Sequence, residues 1–431
     1  MNTTIDATTI VSSPSRERAP TIPSLYQRVL LRWLKSTKVG RLDLHLPNHQ
    51  KLVIGGVADG PRATIIVNNI AFFRKIVLFA NIGLGESYTD GDWETPDLRA
   101  VIEWFIHNLR RDPHVNGSSQ KVRSLGWMSL FNRVLHLLRP NSIKTSRRNI
   151  AEHYDLGNDF YKLWLDPTMT YSAAKFTSET QTLEEAQWEK YDALCQKLRL
   201  QPGDRVLEIG CGWGGFSIHA ATNYGCHVTG VTISKEQYEE CLLRVRDAGL
   251  CDKIDIRLQD YRKIEGQFDK IASIEMLEAV GDKYLETYFA KCDAILAPNG
   301  LLAFQCITVP DNEYDDLRKG TDWIQKHIFP GSLLLSVERF NRAINQTGQL
   351  FMHDFEDLGA GYARTLHEWW ITFNNKLDEV RRLGYSDHFI RKWNYYFRYC
   401  EAAFATRNIS VVQACYTKPG NLVLHREDGI S

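Results

Sequence analysis

Apolar and polar positions follow three different patterns along this chain. Between 41 and 69 the runs RLDLHL, KLVIGG and ATIIVNN are short and separated by turn residues, which predicts strands. Leu98, Val101, Ile102, Phe105 and Leu109 then recur at helical spacing and mark one buried face. Residues 25–112 therefore read as a small α+β unit, structural rather than chemical. From about residue 151 the pattern becomes helix, strand, helix, strand. The strand candidates are RVLEIG (205–210), HVTGVT (227–232), IDIRL (254–258), KIASIE (270–275) and LLAFQCITV (301–309). This alternation predicts an α/β fold, a doubly wound, Rossmann-like sheet of parallel strands. The third pattern is aromatic. Thirteen of the 55 residues from Tyr362 to Tyr416 are Phe, Trp or Tyr, against 11% for the whole chain. Trp393, Phe397, Cys400 and Phe404 share a helical face there, which suits either a core or the wall of a deep apolar pocket.

Composition sharpens this in a few places. At 431 residues the chain exceeds one hydrophobic core, so two domains are expected. The formal net charge is zero, yet residues 113–150 hold seven Lys or Arg and no acid. Within them LGWMSLFNRVLHLLRP mixes bulky apolar residues with Arg133, His136 and Arg139. Two readings stay open: a helix lying in an anionic membrane surface, or a linker helix with a solvated basic face. Residues 1–24 carry no apolar signal-peptide core and read as a disordered tail. No apolar run approaches the roughly 20 residues that span a bilayer. The nine cysteines are scattered singly, as in a reducing compartment, with no disulfide framework or metal-ligand spacing. No recognised module interleaves basic residues with base-stacking aromatics, so nucleic acid is not an expected partner.

The strongest local signal is VLEIGCGWGGF (206–216), where an apolar strand ends in an acid and Gly210, Gly212 and Gly214 precede a helix-like run. Glycines in that context let the backbone turn tightly and approach a ligand. The spacing resembles the first motif of class I S-adenosylmethionine methyltransferases. The second strand ends GVTISKEQ without the acid that would bind a ribose; Thr232, Ser234 and Gln237 are polar substitutes, and Ser234 with Gln237 also suits a helix N-cap. LQDYR puts Asp260 and Tyr261 where an adenine would lie, although taken alone the stretch reads better as an ordinary turn.

EHYDLGNDFYKLWLDPTMTYSAAKF, VLEIGCGWGGF, GVTISKEQ, LQDYR, EMLEAVG and KHIFPG follow in order. Together they resemble the cyclopropane fatty acid synthases and the related mycolic acid and fatty acid methyltransferases, over about residues 150 to 420. The resemblance implies a class I methyltransferase domain over 151–431 with an aromatic acyl-chain-binding lid, a lipid-carrier-like domain over 25–112 and S-adenosylmethionine as co-substrate. It implies cofactor contacts at Tyr171, Ser172, Gly210, Gly212, Thr232, Gln237, Asp260 and Tyr261; Glu208, Gly214 and Ile233 complete the candidate set.

The implied reaction adds a methyl group to a cis double bond of an acyl chain and ends in loss of a proton. Loss from the new methyl with ring closure gives a cyclopropane; loss after a hydride shift gives a methylene branch. In that family a bicarbonate held by Cys, Glu, His, Tyr and a backbone amide is the base. The resemblance carries these positions to Ala173, Glu278, Gln305, Trp370 and the amide of Ile307. Only Glu278 keeps its side chain, which speaks against tight bicarbonate binding. Either Gln305, Cys306 and water substitute for the lost donors, or Glu278 takes the proton itself with Glu275 orienting it. Catalytic candidates are thus Glu278, Gln305 and Trp370, with no metal. The expected partners are an unsaturated acyl chain, an anionic phospholipid surface on the cytoplasmic side of a membrane, and, left open, a second copy in a homodimer. A methyltransferase for a small soluble acceptor and a non-catalytic lipid-binding protein are the competing readings.

Overall fold

The computed structural model describes residues 24–55, 58–109 and 156–424. The basic segment 113–150, the tail before Ser24 and the HYD of the HYDL motif lie outside the described residues.

Strands β1 (Val39–His45), β2 (Lys51–Gly55), β3 (Ala58–Val67) and β4 (Trp93–Glu94) form one sheet in the order β2-β1-β3-β4. Three helices accompany it, Leu25–Leu34, Ala71–Thr89 and Leu98–Leu109. The third buries Leu98, Val101, Ile102 and Phe105, the face that the periodicity marked. The long helix Ala71–Thr89 was not anticipated, because its apolar residues run almost all round and give no single stripe.

The second sheet contains β5 (Arg205–Ile209), β6 (His227–Thr232), β7 (Ile254–Leu258), β8 (Phe268–Ile274), β9 (Leu296–Thr308), β10 (Phe351–Asp357) and β11 (Ser410–Thr417). Their order is β10-β11-β9-β8-β5-β6-β7. The five strands expected from the alternation are all present and parallel to one another. The expectation of parallel strands alone needs correcting: β11 runs antiparallel to both β9 and β10. FMHDFED is mostly exposed on an edge strand, so it lacks the buried alternation that betrays a strand. Chain order reverses between β5 and β8, and the crevice at their carboxyl ends is where open α/β sheets bind ligands.

Two apolar clusters cover the faces of this sheet. A third joins the small sheet to the aromatic region, running from Leu42 and Phe73 through Trp104 to Trp164, Trp369 and Trp393. Helices Gly359–Asn375 and Asp387–Ala405 form a lid within that third core. Glu401, fully buried, accepts hydrogen bonds from Arg398 at 2.6 Å and from Arg99 of the N-terminal unit at 2.8 Å. A buried carboxylate with two guanidinium partners is compensated, so it fixes how the N-terminal unit sits on the lid.

Candidate active site

The glycine loop follows β5. Gly210 and Cys211 both donate their amides to the Val231 carbonyl at 3.0 Å, which ties the loop to the tip of β6. Gly212 (φ +52°) and Gly214 (φ +85°) are both left-handed but differ in surroundings. A Cβ on Gly214 would lie 2.4 Å from Cys241 Sγ, whereas one on Gly212 would meet no atom within 4 Å. Gly214 is therefore required for packing, and Gly212 leaves open space beside the crevice. Glu208 is buried beneath the loop and accepts a hydrogen bond from Ser217, in the first turn of helix Gly215–Tyr224. Burial pushes its carboxyl up to about 8. Expected as a cofactor contact, Glu208 instead fastens the strand to the helix that follows.

At the tip of β6, Thr232 donates to Gln237 Oε1 at 2.8 Å and Ser234 caps helix Lys235–Asp247 by accepting from the Gln237 amide. The capping role is thus real, and Ile233 is half-buried between these residues. Beyond β7, buried Asp260 is engaged by Arg262 through two bonds of 2.8 and 2.6 Å, and Tyr261 packs edge-on against Tyr288. These polar groups preorganise one another along one wall of the crevice, and the Arg262 amide also donates to Asp260 Oδ1, at 3.0 Å.

The opposite wall carries two carboxylates three residues apart. Glu275 follows β8 with φ +49°, in the left-handed region. Its Oε1 accepts from the Ala173 amide and from Gln305 Nε2, both at 2.8 Å, and its Oε2 accepts from the Tyr362 hydroxyl at 2.6 Å. Gln305 is itself held through Oε1 by Gln413 Nε2 at 3.1 Å. Glu278 differs: its Oε1 accepts from the Ile307 amide at 2.5 Å, while its buried Oε2 has no hydrogen-bond partner. Burial first, then the neighbouring Glu275 charge, pushes its carboxyl up to about 8. The segment MTYSAAKF lies across this cluster. Tyr171 donates to the Tyr396 hydroxyl at 2.9 Å and packs among Tyr161, Trp164 and Trp369. Ser172 accepts at 2.7 Å from Lys190, a fully buried lysine whose ammonium burial pushes down to about 8.

A wall of buried rings facing two dry carboxylates, beside a glycine loop on a seven-stranded sheet, can hold an apolar chain and remove a proton from it. The model of the mycolic acid cyclopropane synthetase family matches residues 141–414, well over half of the chain. The chain belongs to this family. It is 37% identical over 378 residues to the cyclopropane-fatty-acyl-phospholipid synthase of Escherichia coli, covering 88% of this chain and 93% of that protein. It is 36% identical over 376 residues to the tuberculostearic acid methyltransferase UfaA1 of Mycobacterium tuberculosis, covering 85% of this chain and 86% of that protein. The solved mycolic acid cyclopropane synthase CmaA1, complexed with SAH and CTAB, superposes with a TM-score of 0.59 at 28% identity, over 63% of this chain and 98% of that one.

Within this family frame one expected residue moves. Trp370 points away from the cluster: its Nε1 donates to Asn394 at 2.6 Å and Arg398 lies over its ring at 4.3 Å. Tyr362, on the same helix, reaches Glu275 in its place. The signal was available in the sequence. Tyr362, Leu366, Trp369 and Phe373 share one helical stripe, and Trp370 is rotated about 100° from Trp369. Tyr362 was overlooked on that stripe, and Lys190 was missed because it acts through burial, which no local motif encodes. The residues do not fit a bound bicarbonate. The donors expected for it at Ile307 and Gln305 are bonded to Glu278 and Glu275. Among the described residues no group of His, Cys, Asp and Glu could hold a metal ion, and no helix is long and apolar enough to cross a membrane.

Proposed function

We propose that this protein transfers a methyl carbon from S-adenosylmethionine to the cis double bond of an unsaturated fatty acyl chain of a phospholipid, giving a cyclopropane. The observation that carries this is the carboxylate pair enclosed by the aromatic lid beside the glycine loop. A small soluble acceptor would leave that apolar enclosure without a purpose. The open space at Gly212 and the walls at Thr232, Gln237, Asp260 and Tyr261 suit S-adenosylmethionine, with Tyr171, Ser172, Gly210, Gly214 and Ile233 around it. Bound there, it supplies an electrophilic methyl group.

The chain's own residues do the rest. Rings such as Trp369 and Tyr171, fully or largely buried, exclude water and present π faces that stabilise positive charge on the alkylated chain. In its ionised form a buried carboxylate accepts the departing proton; a raised pKa makes that form a stronger base. Glu278, with its unpartnered oxygen, is the acceptor that the geometry favours, and Gln305 positions the neighbouring Glu275. A second product, a methylene- or methyl-branched chain, is favoured by the replacement of the expected Cys and His by Ala173 and Gln305, and by the likeness to UfaA1. A membrane surface supplying the substrate, residence at the cytoplasmic side, and assembly as a homodimer belong to the same proposal; flotation with anionic vesicles and sedimentation of the purified chain test them.

The deciding experiment is expression in a host rich in oleate-type lipids, followed by mass spectrometry of the fatty acids. A gain of about 14 mass units is expected for a cyclopropane or a methylene branch, each formed with loss of one proton, and about two more for a methyl branch, which needs a separate reduction; ring or exomethylene signals then separate the first two. No gain would end this reading.

A further inference from the structure

We infer that Glu275 is a tethered anion occupying the site where a dissolved one would bind, so that this enzyme turns over without bicarbonate. The inference rests on the proposed reaction and concerns only how its last step is served. Three donors from three distant parts of the chain converge on the Glu275 carboxylate: the Ala173 amide at 2.8 Å, Gln305 Nε2 at 2.8 Å and the Tyr362 hydroxyl at 2.6 Å. A cradle of backbone amide, side-chain amide and phenol is what binds a small oxyanion. Here the chain fills it with its own side chain. The backbone amide expected to hold an anion, that of Ile307, is taken by Glu278 at 2.5 Å.

The backbone supports the same reading. Glu275 sits at φ +49°, a conformation that favours glycine and that a glutamate adopts only when the surroundings hold it there. What holds it is its own amide, which donates to the Gln305 carbonyl at 2.8 Å, together with the carboxylate's bonds. Gln305, buried and anchored by Gln413 at 3.1 Å, cannot swing away to receive a second ligand. The buried Lys190, on Ser172 directly before the cradle, supplies the nearby positive charge.

In the final step a C–H bond of the transferred carbon breaks. Its electron pair closes the new carbon–carbon bond, or forms the double bond of a methylene product. The proton goes to the Glu275–Glu278 carboxylate pair. No additional co-reactant is needed.

The test uses the full-length protein, phospholipid vesicles with unsaturated chains, and buffer stripped of carbon dioxide. The wild-type rate is expected to change less than about twofold when millimolar bicarbonate is added. Glu275→Gly suits the left-handed backbone and empties the cradle. Its rate should fall about 100-fold or more, and formate, acetate or bicarbonate should restore at least about tenfold of the loss. Glu275→Gln fills the cradle without a charge; it should be equally impaired and unresponsive to added anions. Calorimetry with S-adenosylmethionine checks that each variant is folded. A wild-type rate that collapses without bicarbonate and returns with it overturns the inference. So does a folded Glu275→Gly that keeps full rate, or that no small carboxylate rescues. Should that variant not fold, the wild-type comparison and Glu275→Gln still decide. A wild type inactive under every condition would instead count against the proposed function.

Discussion

The loops after β5 and β8 are neighbours at the carboxyl edge of one sheet, yet they are built on opposite principles. The first works by leaving side chains out: open space at Gly212 and a tight fit at Gly214 against Cys241. The second works by adding them: Glu275 and Glu278 are buried, and their partners come from the segment at 173, from β9 and from the lid helix. A site made from backbone is contained within one stretch of sequence. A site made from converging side chains exists only where the fold brings distant segments together. The two carboxylates also differ from each other. Glu275 has donors on both oxygens, whereas Glu278 keeps one buried oxygen without a partner.

The largest expected effect tests that second difference. Glu278→Gln should lower kcat about 10²–10⁴-fold with little change in S-adenosylmethionine affinity, as measured by single-turnover kinetics and calorimetry; retention of full kcat would move the base elsewhere. The same variant has a stability signature. Burial lifts the Glu278 carboxyl from 4.5 to about 8, so the folded chain holds a proton that the unfolded chain releases. The stability this contributes is complete below about 4.5 and is lost as the pH rises through about 8. Denaturant midpoints should therefore fall less steeply over that range in Glu278→Gln than in the wild type.

Next in size is Tyr362→Phe. It removes the donor to Glu275 Oε2 without changing the packing of the ring on Phe404, at 4.2 Å between centroids. A hydrogen bond to a charged group contributes about 1.5–3 kcal/mol, so kcat should fall roughly 10- to 100-fold. The glycine pair gives a smaller contrast that separates ligand from fold. Gly214→Ala should cost about 1–3 kcal/mol in urea denaturation, because its methyl meets Cys241. Gly212→Ala should cost only about 1 kcal/mol of left-handed backbone strain, and its main effect should be weaker S-adenosylmethionine binding by calorimetry. If both variants lost stability alike, the division between packing glycine and ligand glycine would fail. The smallest effect belongs to Trp370→Phe. The ring faces Asn394 and Arg398 rather than the carboxylates, so turnover should stay within about twofold while that of Tyr362→Phe falls.

Much of the fold was legible because its elements carry local signals. The five parallel strands are apolar runs bounded by turn residues, and the helix at 98–109 has a clean stripe. The edge strand β10 was not legible: exposed on nearly every residue, FMHDFED has neither alternation nor an apolar run. In the site, Glu278 and Gln305 were found through family resemblance and do converge, with Glu275 between them. Trp370 was misplaced by one helical position relative to the buried stripe, and Tyr362 was overlooked on that same stripe. Glu208 and the Thr232–Gln237 pair have the residue types of ligand contacts, yet the structure uses them to brace the loops. Side-chain chemistry is written in the sequence; direction is not.

By itself the sequence determined the α/β alternation, the glycine loop at the end of β5 and the survival of one acid at Glu278, since each depends on neighbours in the chain. Only the tertiary structure decided that Ala173, Gln305 and Tyr362, separated by up to 189 positions, meet on Glu275. Hydrogen-bond donors become an anion cradle through distances of about 3 Å in space, and no spacing along the chain encodes those.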